Sequence, residues 1–256
     1  MAASRIYLDH LAATPLVPDA REAMESALAT FGNPTSQHEE GRHAKDLLEQ
    51  SRTRIARQLA CRPREVVFTP NGTVGSQLAL RGLARARKSV SRRIVLSGIE
   101  HPAVSDAAAD LVDEGFEVVP VPPSKDGLVD AARFLEAVGQ DAACAALKLA
   151  NHETGVVQPV ADIGPTLRTR SVPFLVDACL GPGRLPGAVA AIEAAAVVHS
   201  AHKWGGPGGL GLLRVKRGTR LRPSITGVNQ EEGLSPGTEN VLGAVGASAA
   251  LTVLVD

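Results

Sequence analysis

The chemistry of this chain gathers at Lys203, which stands between the apolar run Ala194 to Val198 and a turn in which five of the seven positions from 205 to 211 are glycine. The full window reads Val197-Val-His-Ser-Ala-His-Lys-Trp-Gly-Gly-Pro-Gly-Gly-Leu-Gly-Leu-Leu-Arg-Val215. The apolar run predicts a buried strand and Leu210 to Val215 a second one. The glycines predict a backbone that passes close to a neighbour. A lysine between such strands either meets a counter-charge or drops its pKa and becomes a nucleophile able to form a Schiff base. A lysine at a loop tip is the plain alternative.

Other reactive side chains follow other apolar runs. Thr69-Pro-Asn-Gly-Thr-Val-Gly75 puts Gly72 and Thr73 where a strand would hand over to a helix. Free backbone N–H groups and a hydroxyl at such a helix start form a phosphate cradle, or simply an Asn-Gly turn with a cap. Glu100-His101 offers an imidazole face on which a flat ligand could stack, or a polar residue leading a helix at Pro102. Asp177 ends the apolar run Pro173-Phe-Leu-Val. A carboxylate there expects a cationic partner, which is either a ligand or an arginine such as Arg184. Asn151-His152-Glu-Thr-Gly155 and Ser200-Ala-His202-Lys203 complete the set.

Elements that would position these groups alternate along the chain. Helices are predicted from Pro18 to about Ala29 and from Glu40 to Leu59. Then come a strand at Val66–Thr69, a helix at Thr73–Ala86, a strand at Arg93–Ser97, a helix at Pro102–Glu114 and a strand at Phe116–Val121. A helix at Leu128–Val138, a strand at Ala143–Ala150, a helix at Ile163–Arg170 and a strand at Pro173–Asp177 lead to the Lys203 region. Such alternation predicts an α/β fold, a mainly parallel sheet flanked by helices. In that fold ligands bind at the carboxyl ends of the strands, where every residue singled out above falls.

Composition narrows the class. Lys plus Arg and Asp plus Glu both number 27, giving a formal net charge of zero and no basic footprint for nucleic acid or an anionic membrane. No apolar run approaches a membrane span, and Met1 to Asp9 has no apolar signal segment, so a cytoplasmic protein is expected. Cys61, Cys144 and Cys179 are odd in number and widely spaced, which suggests neither a disulfide framework nor a metal site. The length of 256 residues is read as one ligand-binding large domain, 1–256, with an amino-terminal arm.

One ligand satisfies the strand-end residues together: a phosphate at one end, an aromatic ring stacked on His101, a ring nitrogen paired with Asp177 and an aldehyde carbon joined to Lys203. That is pyridoxal 5'-phosphate. The chain also resembles the cysteine desulfurases, a branch of the class V aminotransferases among fold type I pyridoxal phosphate enzymes. The resemblance runs from residue 6 to about 246 and rests on eight motifs in order: Tyr7-Leu-Asp-His-Leu-Ala-Ala-Thr-Pro15, Gly32-Asn-Pro-Thr-Ser36, Val67-Phe-Thr-Pro-Asn-Gly-Thr73, Glu100-His-Pro-Ala-Val104, Asn151-His-Glu-Thr-Gly-Val-Val-Gln158, Val176-Asp-Ala178, Ser200-Ala-His-Lys203 and Pro236-Gly-Thr-Glu-Asn240.

The resemblance implies that Lys203 carries the cofactor and transfers protons. It makes His101 the stacking and catalytic residue, Asp177 the ring-nitrogen partner, and Gly72, Thr73, Ser200 and His202 the phosphate contacts. Thr238 would reach the phosphate of the other subunit of a homodimer, and Asn151 and His152 would lie toward the substrate. The implied reaction removes sulfur from L-cysteine, leaving alanine, and passes it to an acceptor such as the iron-sulfur cluster assembly machinery. Where His152, Leu180 and Ser235 stand, the family usually has Asn, Gln and Arg. The family also continues into a smaller carboxyl-terminal domain with a persulfide-forming cysteine and a carboxylate-binding arginine, so the expectation here is the large domain without it. Cys61 and Cys144 read as packing residues, and Cys179 as close to the cofactor but not at the family nucleophile's position. An incomplete site completed by another subunit, a different pyridoxal phosphate lyase or transaminase-like activity, and a non-catalytic homologue are the alternatives.

Overall fold

A computed structural model describes residues 5–255. Its strands are β1 Val66–Thr69, β2 Arg93–Ser97, β3 Glu117–Val121, β4 Cys144–Lys148, β5 Phe174–Asp177, β6 Ala196–Ser200 and β7 Gly211–Val215. Its helices are α1 Pro18–Ala27, α2 Glu39–Gln58, α3 Gly72–Ala86, α4 Pro102–Val112, α5 Ala131–Val138, α6 Val160–Thr169, α7 Pro186–Ala190 and α8 Val241–Val255. The strands form one sheet in the order β1-β7-β6-β5-β4-β2-β3.

Pairings from β3 through β6 are parallel, whereas β7 runs antiparallel to both β6 and β1. The exception has a simple cause. Parallel neighbours need a crossover of a dozen or more residues, and the link from Ser200 to Gly211 is a short 3₁₀ turn and loop that only lets the chain double back.

Successive residues of each central strand serve opposite faces. Leu147, Val176, Val197 and Leu212 pack in one apolar cluster with α2, α5, α6 and α8 side chains. Ala146, Leu175, Val198 and Leu213 pack in a second cluster with α3 and α4. A sheet covered on both faces explains why its strands read as unbroken apolar runs.

Several boundaries shift from the sequence reading for local reasons. α5 starts at Ala131 rather than Leu128, because the Asp130 side chain accepts from the Arg133 N–H at 2.7 Å while the Val129 N–H is drawn to Gln158 Oε1 at 2.9 Å. α4 stops at Val112, with Gly115 in the left-handed region at φ 85° closing the turn. The short α7 and the whole of α8 were not foreseen. α8 packs against α1 and α2, so closely that a side chain at Gly246 would start 2.5 Å from Met24 Sδ. No helix among the described residues is long and apolar enough to cross a membrane.

Candidate active site

The carboxyl ends of β2, β4, β5 and β6 converge with the start of α3 on a cleft of about 200 Å³. Gly72, Thr73, His101, His152, Asp177, Ser200, His202 and Lys203 all line it. Two sequence-predicted residues do not. Asn151 is buried, with its carboxamide committed to the loop: its oxygen accepts from the Glu153 and Thr154 N–H groups at 2.9 and 3.0 Å, and its Nδ2 donates to the Ile99 carbonyl at 3.3 Å. Thr238 is exposed and away from this cleft. Ser235 does not line it either, whereas Leu180 does.

At one end the Asn71 side chain caps α3, accepting from the Val74 N–H at 2.9 Å. The N–H groups of Gly72 and Thr73 lie in the first turn, where a helix offers no carbonyl to receive them. A side chain at 72 would be a tight fit, since a Cβ there would sit 3.0 Å from Cys179 Sγ and 3.1 Å from Ser200 Cβ. Beside this helix start, Ser200 Oγ and His202 Nδ1 are hydrogen-bonded at 3.1 Å. Burial, and then the Lys203 charge, hold the His202 imidazole below its usual range. The neutral ring thus keeps a donor for an anion on one nitrogen.

Lys203 ends the 3₁₀ turn Ala201–Lys203 and is half-buried, its Nζ donating to the Leu11 carbonyl at 3.0 Å. No carboxylate lies within ion-pair distance of it among the described residues. The turn itself is clamped. Arg184 donates to the Lys203 carbonyl at 2.6 Å and to the His10 carbonyl at 2.8 Å, and the Thr14 N–H donates to the His202 carbonyl at 2.9 Å. Gly205, at φ 80°, allows the approach of Val17, which a Cβ would meet at 2.5 Å. The glycine-rich turn therefore admits the chain's own amino-terminal arm.

Asp177 takes no arginine. Arg184 is engaged as above, and the Asp177 carboxylate accepts from the Cys179 N–H at 3.0 Å. His101 caps α4, its Nδ1 accepting from the Ala103 N–H at 3.0 Å, which leaves the proton on Nε2. Burial is the main cause that lowers its pKa, so the ring is neutral and able to stack. His101 is the helix leader, and its ring also lines the cleft.

Sequence reasoning overlooked Lys148. It ends β4 and is 2% exposed, yet it lines the cleft. A lysine inside the otherwise apolar run Ala142–Ala150 was the available signal. Glu100 is a second omission. Its Oε1 accepts from the Ser97 hydroxyl and from the Lys148 N–H at 2.9 Å, while its Oε2 is enclosed with no partner. Burial pushes its carboxyl up to about 7. The cysteines are poor nucleophiles. Burial raises Cys61 to about 11 and Cys144 to about 12, and burial together with the Asp177 charge holds Cys179 well above the ordinary thiol value. No group of three or more potential metal ligands occurs among the described residues.

Comparison with known proteins shows the family. The Aminotransferase class-V family profile matches residues 6–256. The chain belongs to the class-V aminotransferases. It is 38% identical over 98% of its length to an IscS-like cysteine desulfurase of Mycobacterium tuberculosis, of which it spans 65%. Among solved structures, it superposes on a NifS-like protein with a TM-score of 0.93 at 33% identity, covering 98% of this chain and 70% of the other. It superposes on SspA in complex with cysteine with a TM-score of 0.91 at 32% identity, covering 96% and 72%. The chain thus spans slightly less than two thirds of the curated relative. Class-V aminotransferases depend on pyridoxal phosphate, and the cleft suits that group. The Gly72 and Thr73 N–H groups are free at the start of α3, and among the described residues Asp177 has no cation, which a protonated ring nitrogen would supply, and Lys203 no carboxylate.

Proposed function

We propose that this chain binds pyridoxal phosphate at Lys203 and acts on L-cysteine as a cysteine desulfurase-type enzyme, releasing the sulfur and leaving alanine. The observation that carries the reading is the convergence of an unpaired lysine, an unpaired carboxylate and a helix-start anion cradle in one cleft. The bound cofactor supplies an electron-withdrawing ring that stabilises negative charge on the substrate carbon. The chain's residues do the rest. The Gly72 and Thr73 N–H groups, Ser200 and His202 would hold the phosphate. The negative charge of Asp177 would favour a proton on the ring nitrogen. His101 would cover the ring face, with its Nε2–H toward the cleft. Lys203 Nζ, on a turn, moves protons to and from the substrate.

Desulfuration also needs a thiolate to take the sulfur. Burial raises the pKa of all three cysteines here, which makes each a poor candidate for that group. This observation favours, as a second reading, a lyase or transaminase-like reaction on the same cofactor that needs no thiol. A homodimer in the cytoplasm is part of the proposal. Exposed Thr238 offers a phosphate contact to the partner's cleft, and the exposed apolar side chains of Phe31, Ile225 and Val228 suit burial against a second copy.

Borohydride reduction of the protein incubated with pyridoxal phosphate, followed by peptide mapping, tests the attachment. Label on Lys203 is expected, and label on another lysine or none overturns it. Alanine and sulfide release from cysteine then separates the two reactions.

A further inference from the structure

We infer that Lys148 and His152 form a carboxylate-binding subsite at the β4 end of the cleft, opposite the phosphate cradle. The inference rests on the proposed function only in naming the natural ligand, the carboxylate of an amino-acid substrate. Its physical basis is the pair itself. Lys148 is 2% exposed and opens on the cleft, and a buried cation is stable only when compensated. Among the described residues the one side-chain hydrogen-bond partner of its amine is His152 Nδ1 at 3.3 Å. No carboxylate oxygen lies within 4.0 Å of Nζ among the described residues.

Nearby acids do not fill that role. Asp177 is the register neighbour of Lys148 across β5, but it bonds the Cys179 N–H. Glu100 takes the Lys148 backbone N–H rather than its amine, and with its carboxyl up near 7 it carries only a fraction of a charge at neutral pH.

Proton inventory then defines what fits. A lysine ammonium has three N–H donors and no lone pair, so it donates to Nδ1 of His152 and fixes that imidazole as the Nε2–H tautomer. Burial and the Lys148 charge lower the His152 pKa and keep the ring neutral. The pair therefore offers two spare ammonium N–H groups and one imidazole N–H, whose nearest carboxylate, that of the solvent-exposed Glu153, is 4.0 Å away and beyond hydrogen-bond distance. A carboxylate, which only accepts, is complementary. The site is distinct from the phosphate cradle, because β4 and β6 lie on either side of β5, roughly 10 Å apart. A ligand with its phosphate at Ser200 and His202 leaves Lys148 free for a second anion.

The test uses 3-mercaptopropionate, which carries a carboxylate and a thiol but no amine to react with the cofactor, and 1-propanethiol as its uncharged counterpart. Calorimetric titration of the protein without added cofactor should show binding of 3-mercaptopropionate and none of 1-propanethiol. Lys148→Met, close in volume, should weaken that binding by at least about tenfold, the effect of one charged hydrogen bond. His152→Phe should weaken it less, and it serves where Lys148→Met does not fold. Undiminished binding in the variants, or no binding to the natural sequence, overturns the inference. Pyridoxal phosphate uptake, followed by absorbance, is read separately. Failure of uptake sinks the proposed function and leaves the carboxylate titration to be judged alone.

Discussion

Two lysines reach the same cleft from either side of Asp177, and they are held differently. Lys203 stands on a 3₁₀ turn after β6, half-buried, with a single bond from Nζ to a carbonyl of the amino-terminal arm. Lys148 is the last residue of β4, its backbone locked in the ladder with β5 and its amine against a neutral imidazole. The contrast follows from the work each can do. A nucleophile that also carries protons must swing, which a turn allows. A charge that only holds an anion is best fixed on a strand.

The largest effect should separate the two outright. Lys203→Ala is expected to abolish borohydride-fixed cofactor, whereas Lys148→Met should retain it. Label transferring to Lys148 would reverse the assignment of mobile and fixed roles. Next comes the clamp on the β6 end. Gly205→Ala places a Cβ in the left-handed region and against Val17, and should cost about 2–3 kcal/mol in urea unfolding. A neutral result would mean that the arm does not hold the Lys203 turn.

The β4 end carries a pH signature. Glu100 is pushed from 4.5 to about 7, so between those values the folded chain keeps a proton that the unfolded chain releases. Stability present at the acid end is therefore lost as pH rises, by on the order of 3 kcal/mol. His199, buried in β6 and lowered from 6.5 to about 4 by burial, has the opposite slope, since acid favours the unfolded chain that protonates first. Urea unfolding of Glu100→Gln across this range should remove the first slope and leave the second. An unchanged profile would show that Glu100 titrates normally. The smallest effect is expected for Ser200→Ala, which removes one contact to His202 at 3.1 Å and should cost about 1 kcal/mol. A loss as large as that of Gly205→Ala would move the rigidity of the β6 end from the arm to this pair.

The strand-end positions were legible because unbroken apolar runs and glycine turns mark a buried sheet. β1 and β2 fall where the pattern places them, Asp177 and Ser200 end their strands, and Lys203 closes the turn after β6. Lys148 was not legible, because the run around it reads as core, and the strand's outline says nothing about which residue opens on a cleft. Asn151 misled for the converse reason. It follows β4 at the expected place, but its short carboxamide closes its own loop. α8 escaped because its sequence is apolar or small nearly all round, giving no helical stripe, and only its burial against α1 and α2 reveals it.

That packing bears on how the chain assembles during synthesis. α1 and α2 leave the ribosome early, yet the surface that covers them is made only when residues 241–255 emerge. The interval spans the whole sheet, so the closing contact is among the most distant in sequence and the slowest to form. Until then the parts of α1 and α2 that α8 covers stand open, a period in which a holding chaperone, or a second nascent chain, has something to grip.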